Sequence, residues 1–158
     1  MQKGDIDLDF DCMDIKIKRF QELDLEELYG ILHCRQEVFV VEQNIIYQDL
    51  DYIDQNSTHV FITLDGKIAS YLRIIDPGVK YNETSIGRVL TMPGYRHKGL
   101  SRQLMQVALE EVKAKNQMPV KIEAQEYLVK FYESLGFKPV SAPFILEGIS
   151  HVSMILND

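Results

Sequence analysis

The chain has 158 residues, is 46% hydrophobic and carries a formal charge of −7. That size and composition describe one globular domain with a sizeable core, and the acidity argues against general nucleic-acid binding while favouring a cationic small partner. No apolar run approaches the ~20 residues of a bilayer span, the first residues lack the apolar core of a signal peptide, and the two cysteines, Cys12 and Cys34, suit a reducing compartment, so a cytoplasmic protein without membrane contact is expected.

The first 13 residues alternate Asp with Ile, Leu and Phe, a spacing open to a strand and to a loose tail alike. Residues 15–20 read as a strand. Asp24 followed by Glu27 makes a capping-box start, and Leu25, Leu28 and Leu32 form an apolar stripe on a helix running to about Phe39. Arg35 continues that stripe, so its guanidinium points inward and needs a carboxylate; Glu42, Asp49 and Asp51 are the nearest in sequence. Residues 58–64 and 67–75 are strands flanking the hairpin turn Asp65-Gly66. Residues 84–92 form a further strand. A long helix then carries Leu100, Leu104, Val107, Ala108 and Val112 on one face. Val120, Ile122 and Ala124 alternate as in a strand with one face inward. Residues 126–135 are a short helix closed by Gly136. Two strands, about 138–146 and 149–156, finish the chain. The order β, α, β-hairpin, β, α, β, α, β, β is an α/β arrangement, a mixed sheet with helices on both faces.

The most informative stretch lies between Met92 and Arg102. A strand ends, Pro93-Gly94 turns, and a basic loop opens the long helix. The first turn of a helix has unpaired N–H donors and the positive end of the macrodipole. Gly99 lets the backbone approach a phosphate, and Arg96, Lys98 and Arg102 add charge. The loop predicts a pyrophosphate-bearing ligand. It is neither a Walker A loop nor a Rossmann fingerprint, since neither glycine pattern is present.

A second motif follows. Ala124-Gln125 closes a strand, and Phe131-Tyr132-Glu133-Ser134-Leu135-Gly136-Phe137 closes the next helix. Together with Arg96-x-x-Gly99-x-Ser101, this arrangement resembles the GNAT acyltransferase superfamily. Val38-Phe39-Val40-Val41-Glu42-Gln43, Tyr47-x-Asp49-x-Asp51-x-x-Asp54, His59, Ile86-Gly87-Arg88-Val89 and Glu147-Gly148-Ile149-x-His151-x-x-Met154 are similar to its ElaA branch. The resemblance extends from about residue 23 to the end. It implies a twisted mixed sheet of about six or seven strands, with a splay between the strands at 84–92 and 119–124. It also implies an acetyl-CoA-dependent N-acetyltransferase whose cofactor loop comprises Arg96, His97, Lys98, Gly99, Leu100, Ser101 and Arg102. Ser101 stands where the family has Gly or Ala, and His97 where Gly often follows the Arg. Dimers are common in the superfamily, so oligomeric state stays open.

Acyl transfer from a thioester to an amine requires that the amine lose a proton, that the thioester oxygen meet a donor, and that the thiolate gain a proton. The resemblance makes Tyr132 the acid for the thiolate, against the plainer reading of a packed core tyrosine. It places the oxyanion donor among the amides of Leu90, Thr91 and Met92, whose edge would also pair with the pantetheine arm. Glu123 and His151 are the base candidates retained, with Glu42, His59 and the aspartates open and a water relay as an alternative. Glu42, His59, Arg73, Arg88 and Gln125 are expected around the acceptor, a small amine or an exposed protein amino group. Arg73 and Arg88 have two readings, a grip on an acceptor carboxylate or pairing with Asp49, Asp51 and Asp54. Those aspartates lack the glycine and terminal Glu of a calcium loop, and no second histidine falls at zinc spacing, so no metal is expected. Neither cysteine lies in a motif for an acyl-enzyme, which favours direct transfer in a ternary complex. The rival functions are an acyl-CoA sensor without turnover and a metal-dependent hydrolase.

Overall fold

The computed structural model describes residues 12–158, so most of the stretch predicted as a tail or strand lies outside the described residues. Strand β1 (Met13–Arg19) is paired antiparallel with β2 (Ser57–Leu64), and β2 with β3 (Lys67–Ile75). The β2–β3 hairpin turns at Asp65 and Gly66, both with positive φ (50° and 76°), as a two-residue primed turn requires. Strand β4 (Thr84–Thr91) continues the antiparallel order. Strand β5 (Val120–Gln125) is parallel to β4, but only Thr84↔Val120 and Ser85↔Lys121 pair before the two strands part.

The predicted final hairpin is more broken than the sequence suggested. Residues 138–146 form two short strands, β6 (Lys138–Pro139) and β7 (Phe144–Leu146), each paired with β8 (Ile149–Leu156). Pro143 has no N–H for the ladder, and between the two strands the Ser141 hydroxyl accepts the Ser153 amide (2.9 Å). The sheet therefore has eight strands among the described residues, ordered β1-β2-β3-β4-β5-β8-β6 with β7 also on β8.

Helix α1 (Leu25–Arg35) starts on the predicted capping box: the Asp24 carboxylate accepts the Glu27 amide (2.7 Å), and Glu27 accepts the Asp24 amide (3.0 Å). Glu27 also meets Lys16 and Lys18 of β1, which ties the helix to the sheet edge. The leucine stripe is corrected. Leu25 is 85% exposed, and the buried face is Glu27, Ile31, Cys34, Arg35 and Val38. The helix then widens into a π-helical segment, Gln36–Glu42, a distortion common at functional sites. Helix α2 (Leu100–Ala114) buries Leu100, Leu104, Met105, Ala108, Leu109 and Val112.

Alternation along the central strands divides the core. Val60, Ile62, Leu72, Ile74 and Ile86 pack with α2, while Phe61, Tyr71 and Leu90 pack with Ile31, Cys34 and Val38 of α1 and the segment after it. A 3-10 turn, Glu126–Leu128, leads into the short helix α3 (Val129–Glu133), which brings Tyr132 and then Phe137 into the first cluster. Among the described residues no helix is long and apolar enough to cross a membrane.

Candidate active site

Where β4 and β5 diverge, the sheet opens into a cleft of about 690 Å3, within the roughly 300–1,000 Å3 usual for small-ligand sites. One end of the cleft is the loop before α2. Gly99 is the helix N-cap at φ 77°, and a Cβ there would meet nothing within 4 Å. A glycine cap has no side chain to satisfy the first turn. The first intrahelical bond runs from the Gln103 amide to the Gly99 carbonyl (3.1 Å), so the amides of Leu100, Ser101 and Arg102 have no intrahelical acceptor. Those three donors, the open space and the helix dipole fit a diphosphate.

The loop's side chains are less free than its backbone. Arg96 donates from Nε to the Thr91 carbonyl (2.9 Å) and forks both terminal nitrogens onto Glu42 (2.5 and 2.7 Å). Glu42 therefore neutralises Arg96, not Arg35, and Arg96 holds its carboxyl below the usual carboxylate range. The Ser101 hydroxyl is bonded to that of Thr91 (2.6 Å). The Arg102 guanidinium lies over the Phe131 ring, 5.2 Å from its centre. Lys98 is exposed and does not line the cleft. His97 has φ 64°, a left-handed conformation in which a glycine would be unstrained.

The amides at the end of β4 sort by strand geometry. The Met92 amide donates to Ala69 (2.8 Å), so it faces β3 and is not available to an oxyanion. In an antiparallel pair, residues that exchange backbone bonds alternate with residues that do not. With Ala69 opposite Met92 in the bonded position, Tyr71↔Leu90 is bonded too, and Ser70↔Thr91 is the unbonded pair. The Ser70 and Thr91 hydroxyls, 2.9 Å apart, occupy that close pair. Of the three amides expected there, Thr91 alone points away from β3 into the split.

Tyr132 lines the cleft from α3 and is 7% exposed, edge-on to Phe131 and Phe137. Burial pushes its phenol well above the ordinary tyrosine value, so it is protonated at neutral pH. Glu123 and His151 both line the cleft. Glu123 is paired with Lys80 (3.5 Å), a residue of the 76–83 connection that sequence reasoning did not single out because loop conformation leaves no periodic signal. His151 lies opposite Gln125 across β5–β8, with its Nδ1 2.7 Å from the Ile149 carbonyl. A carbonyl only accepts, so Nδ1 carries the hydrogen and the neutral ring keeps Nε2 as its basic atom.

Beyond the β4 bulge, three arginines and three aspartates interlock. Arg35, fully buried, bonds Asp49 (3.0 Å) and Asp54 (2.6 Å). Arg73, 1% exposed, bonds Asp54 (2.9 Å) and both oxygens of Asp51 (2.8 and 2.5 Å). Arg88 bonds Asp49 (2.8 Å) from the bulge itself, at φ 52°, with its guanidinium 5.7 Å from the Tyr47 ring centre. The second reading of Arg73 and Arg88 is the observed one: they pair with the aspartates while lining the cleft. His59 is the clear departure. It is fully buried beneath this cluster, away from the cleft wall. Its Nε2 faces the Asp54 carbonyl (2.9 Å) and therefore donates, so Nδ1 accepts the Tyr71 hydroxyl (2.7 Å). Burial lowers the His59 pKa, which fixes the ring neutral. Cys34 is buried, and its thiol is pushed up to about 11 by desolvation.

Residues 24–157 match the acetyltransferase (GNAT) domain family. Protein ElaA of Escherichia coli is 35% identical over 136 residues, covering 84% of this chain and 89% of ElaA. The crystal structure of that ElaA aligns with a TM-score of 0.84 over 90% of this chain and 98% of that one, at 32% identity. An acyl-CoA N-acyltransferase from Pseudomonas aeruginosa aligns with a TM-score of 0.86, again over 90% and 98%, at 36% identity.

Proposed function

Since the chain belongs to the GNAT acyltransferase family, on its ElaA-like branch, we propose that it transfers an acetyl group from acetyl-CoA directly to a primary amine. The observation that supports this most is the alignment of three features along one cleft: the free amides at the start of α2, the inward Thr91 amide, and the protonated Tyr132. The α2 amides would hold the diphosphate of acetyl-CoA, whose thioester supplies the activated acetyl group. The Thr91 N–H stabilises charge on the thioester oxygen. Tyr132 protonates the departing thiolate. His151 Nε2 takes the amine proton, directly or through water; Glu123 is the weaker candidate because Lys80 already pairs with it. Burial and the raised pKa of Cys34 leave it without nucleophilic character, in keeping with direct transfer.

The test is release of free thiol from acetyl-CoA across a panel of amines, for the wild type and for Tyr132→Phe. Turnover should fall at least ~10-fold in the variant with little change in acetyl-CoA affinity. A wild-type rate for the variant makes Tyr132 structural. Tight acetyl-CoA binding with no thiol release for any amine makes the protein a binding module instead.

A further inference from the structure

The Arg–Asp cluster contains one buried side-chain nitrogen without a partner among the described residues. Arg35 uses Nε on Asp49, and Arg88 uses Nε on Asp49 as well. Arg73 commits both terminal nitrogens to Asp51 and Asp54, but its Nε–H has no partner among the described residues. A buried charged group with an unpaired N–H is costly, and such a group calls for an external acceptor.

A second observation places open space on the same face of the sheet. Gly87 of β4 is the cross-strand partner of Arg73, so the two α-carbons project to the same face of the sheet. A Cβ on Gly87 would meet nothing within 4 Å, and its φ is not one that demands glycine. The residue's smallness therefore serves the space above it rather than the backbone. Both residues line the cleft.

The charges decide what fits. Three guanidiniums face three carboxylates, leaving no surplus positive charge. A substrate carboxylate prefers two parallel N–H donors of one guanidinium, and Arg73 has only Nε uncommitted. We propose that the space over Gly87 is an acceptor subsite in which the Arg73 Nε–H holds one neutral carbonyl oxygen. The acceptor class is an amine bearing an amide carbonyl, as in an amino-acid amide or a peptide N-terminus, in preference to a free amino acid. This assignment rests on the acyltransferase reading for which end of the molecule is acetylated.

The experiment measures binding without turnover. Protein saturated with CoA, which carries no acyl group to transfer, is titrated calorimetrically with amino-acid amides, the matching free amino acids and the matching alkylamines. The amides should bind at least ~10-fold more tightly than either counterpart. Gly87→Ala and Gly87→Val, whose Cβ meets nothing within 4 Å, should reduce that preference stepwise towards unity while melting temperature and CoA affinity hold. Equal binding of all three classes, preferred binding of the free acids, no binding of any class, or a preference untouched by both variants overturns the subsite. Amide-selective binding with no thiol release from acetyl-CoA overturns the enzyme reading and leaves the subsite standing.

Discussion

Arg96 belongs to the loop proposed to meet the diphosphate, yet its guanidinium is already forked onto Glu42. An incoming diphosphate therefore competes with a carboxylate for the same donors. The Glu42 and Arg96 side chains are 37% and 34% exposed, so solvent screens the pair. Exposed ion pairs are worth about 0.2–1 kcal/mol, with a bidentate geometry at the upper end. Replacing Glu42 with Gln removes that competitor and leaves Arg96 anchored through Nε to Thr91. CoA should then bind roughly 2–5-fold more tightly at low ionic strength, and the gain should shrink at ~1 M salt, where screening falls to about 3 Å. Isothermal titration of CoA into both proteins at two salt concentrations reads this directly. Unchanged affinity at low salt refutes the competition, and weaker binding shows that Glu42 presents Arg96 to the phosphates.

Gly99→Glu meets no clash at Cβ and should cost the fold about 1–2 kcal/mol of left-handed strain, while like charge against the diphosphate should weaken CoA at least ~10-fold; calorimetry with unchanged affinity contradicts the loop assignment. Arg35→Ala leaves Asp49 and Asp54 short of a buried partner, at a cost of about 3–5 kcal/mol; a melting temperature within ~2 °C of wild type would show the cluster contributes little. His59 has a folded pKa below its unfolded value, so the unfolded chain binds more protons below pH ~6.5 and stability falls as pH drops through that window. Asp51, Asp54 and Glu27, the last held at about 2, extend the loss through the usual carboxylate range. Thermal melts from pH 8 to 3 should show both stages, and His59→Gln, which keeps a donor for Asp54 and an acceptor for Tyr71, should flatten the first. A wild-type curve with no slope between pH 7 and 5 excludes His59 as a source.

What could be read ahead of the structure was local. The Asp24 box, the Asp65-Gly66 turn and the Gly99 helix start each depend on neighbours within four residues, and each is found where the spacing put it. The α1 face failed for a related reason. Leucine at 25 is apolar by type, but the buried register follows Ile31, Cys34 and Val38, and Glu27 is buried only because Lys16 and Lys18 arrive from another element. Left-handed His97 and Arg88 are equally invisible, since nothing in either residue type announces a positive φ.

Partner choice was the hardest part to read because it is non-local. Arg96 meets Glu42 54 residues away, and Arg88 meets Asp49 at a separation of 39. Glu42 was within seven positions of Arg35 and was a natural partner for it. Yet the π-helical segment that starts after Arg35 carries Glu42 to the loop before α2, and Asp49 and Asp54 return to Arg35 instead. That same rerouting has a mechanical consequence. The segment is pinned at one end by the buried Arg35 cluster, which also holds Arg73, and at the other by Arg96. If a diphosphate displaces Glu42 as proposed, it frees the Arg96 end of the segment and leaves the Arg35 cluster, with Arg73 in it, paired as before.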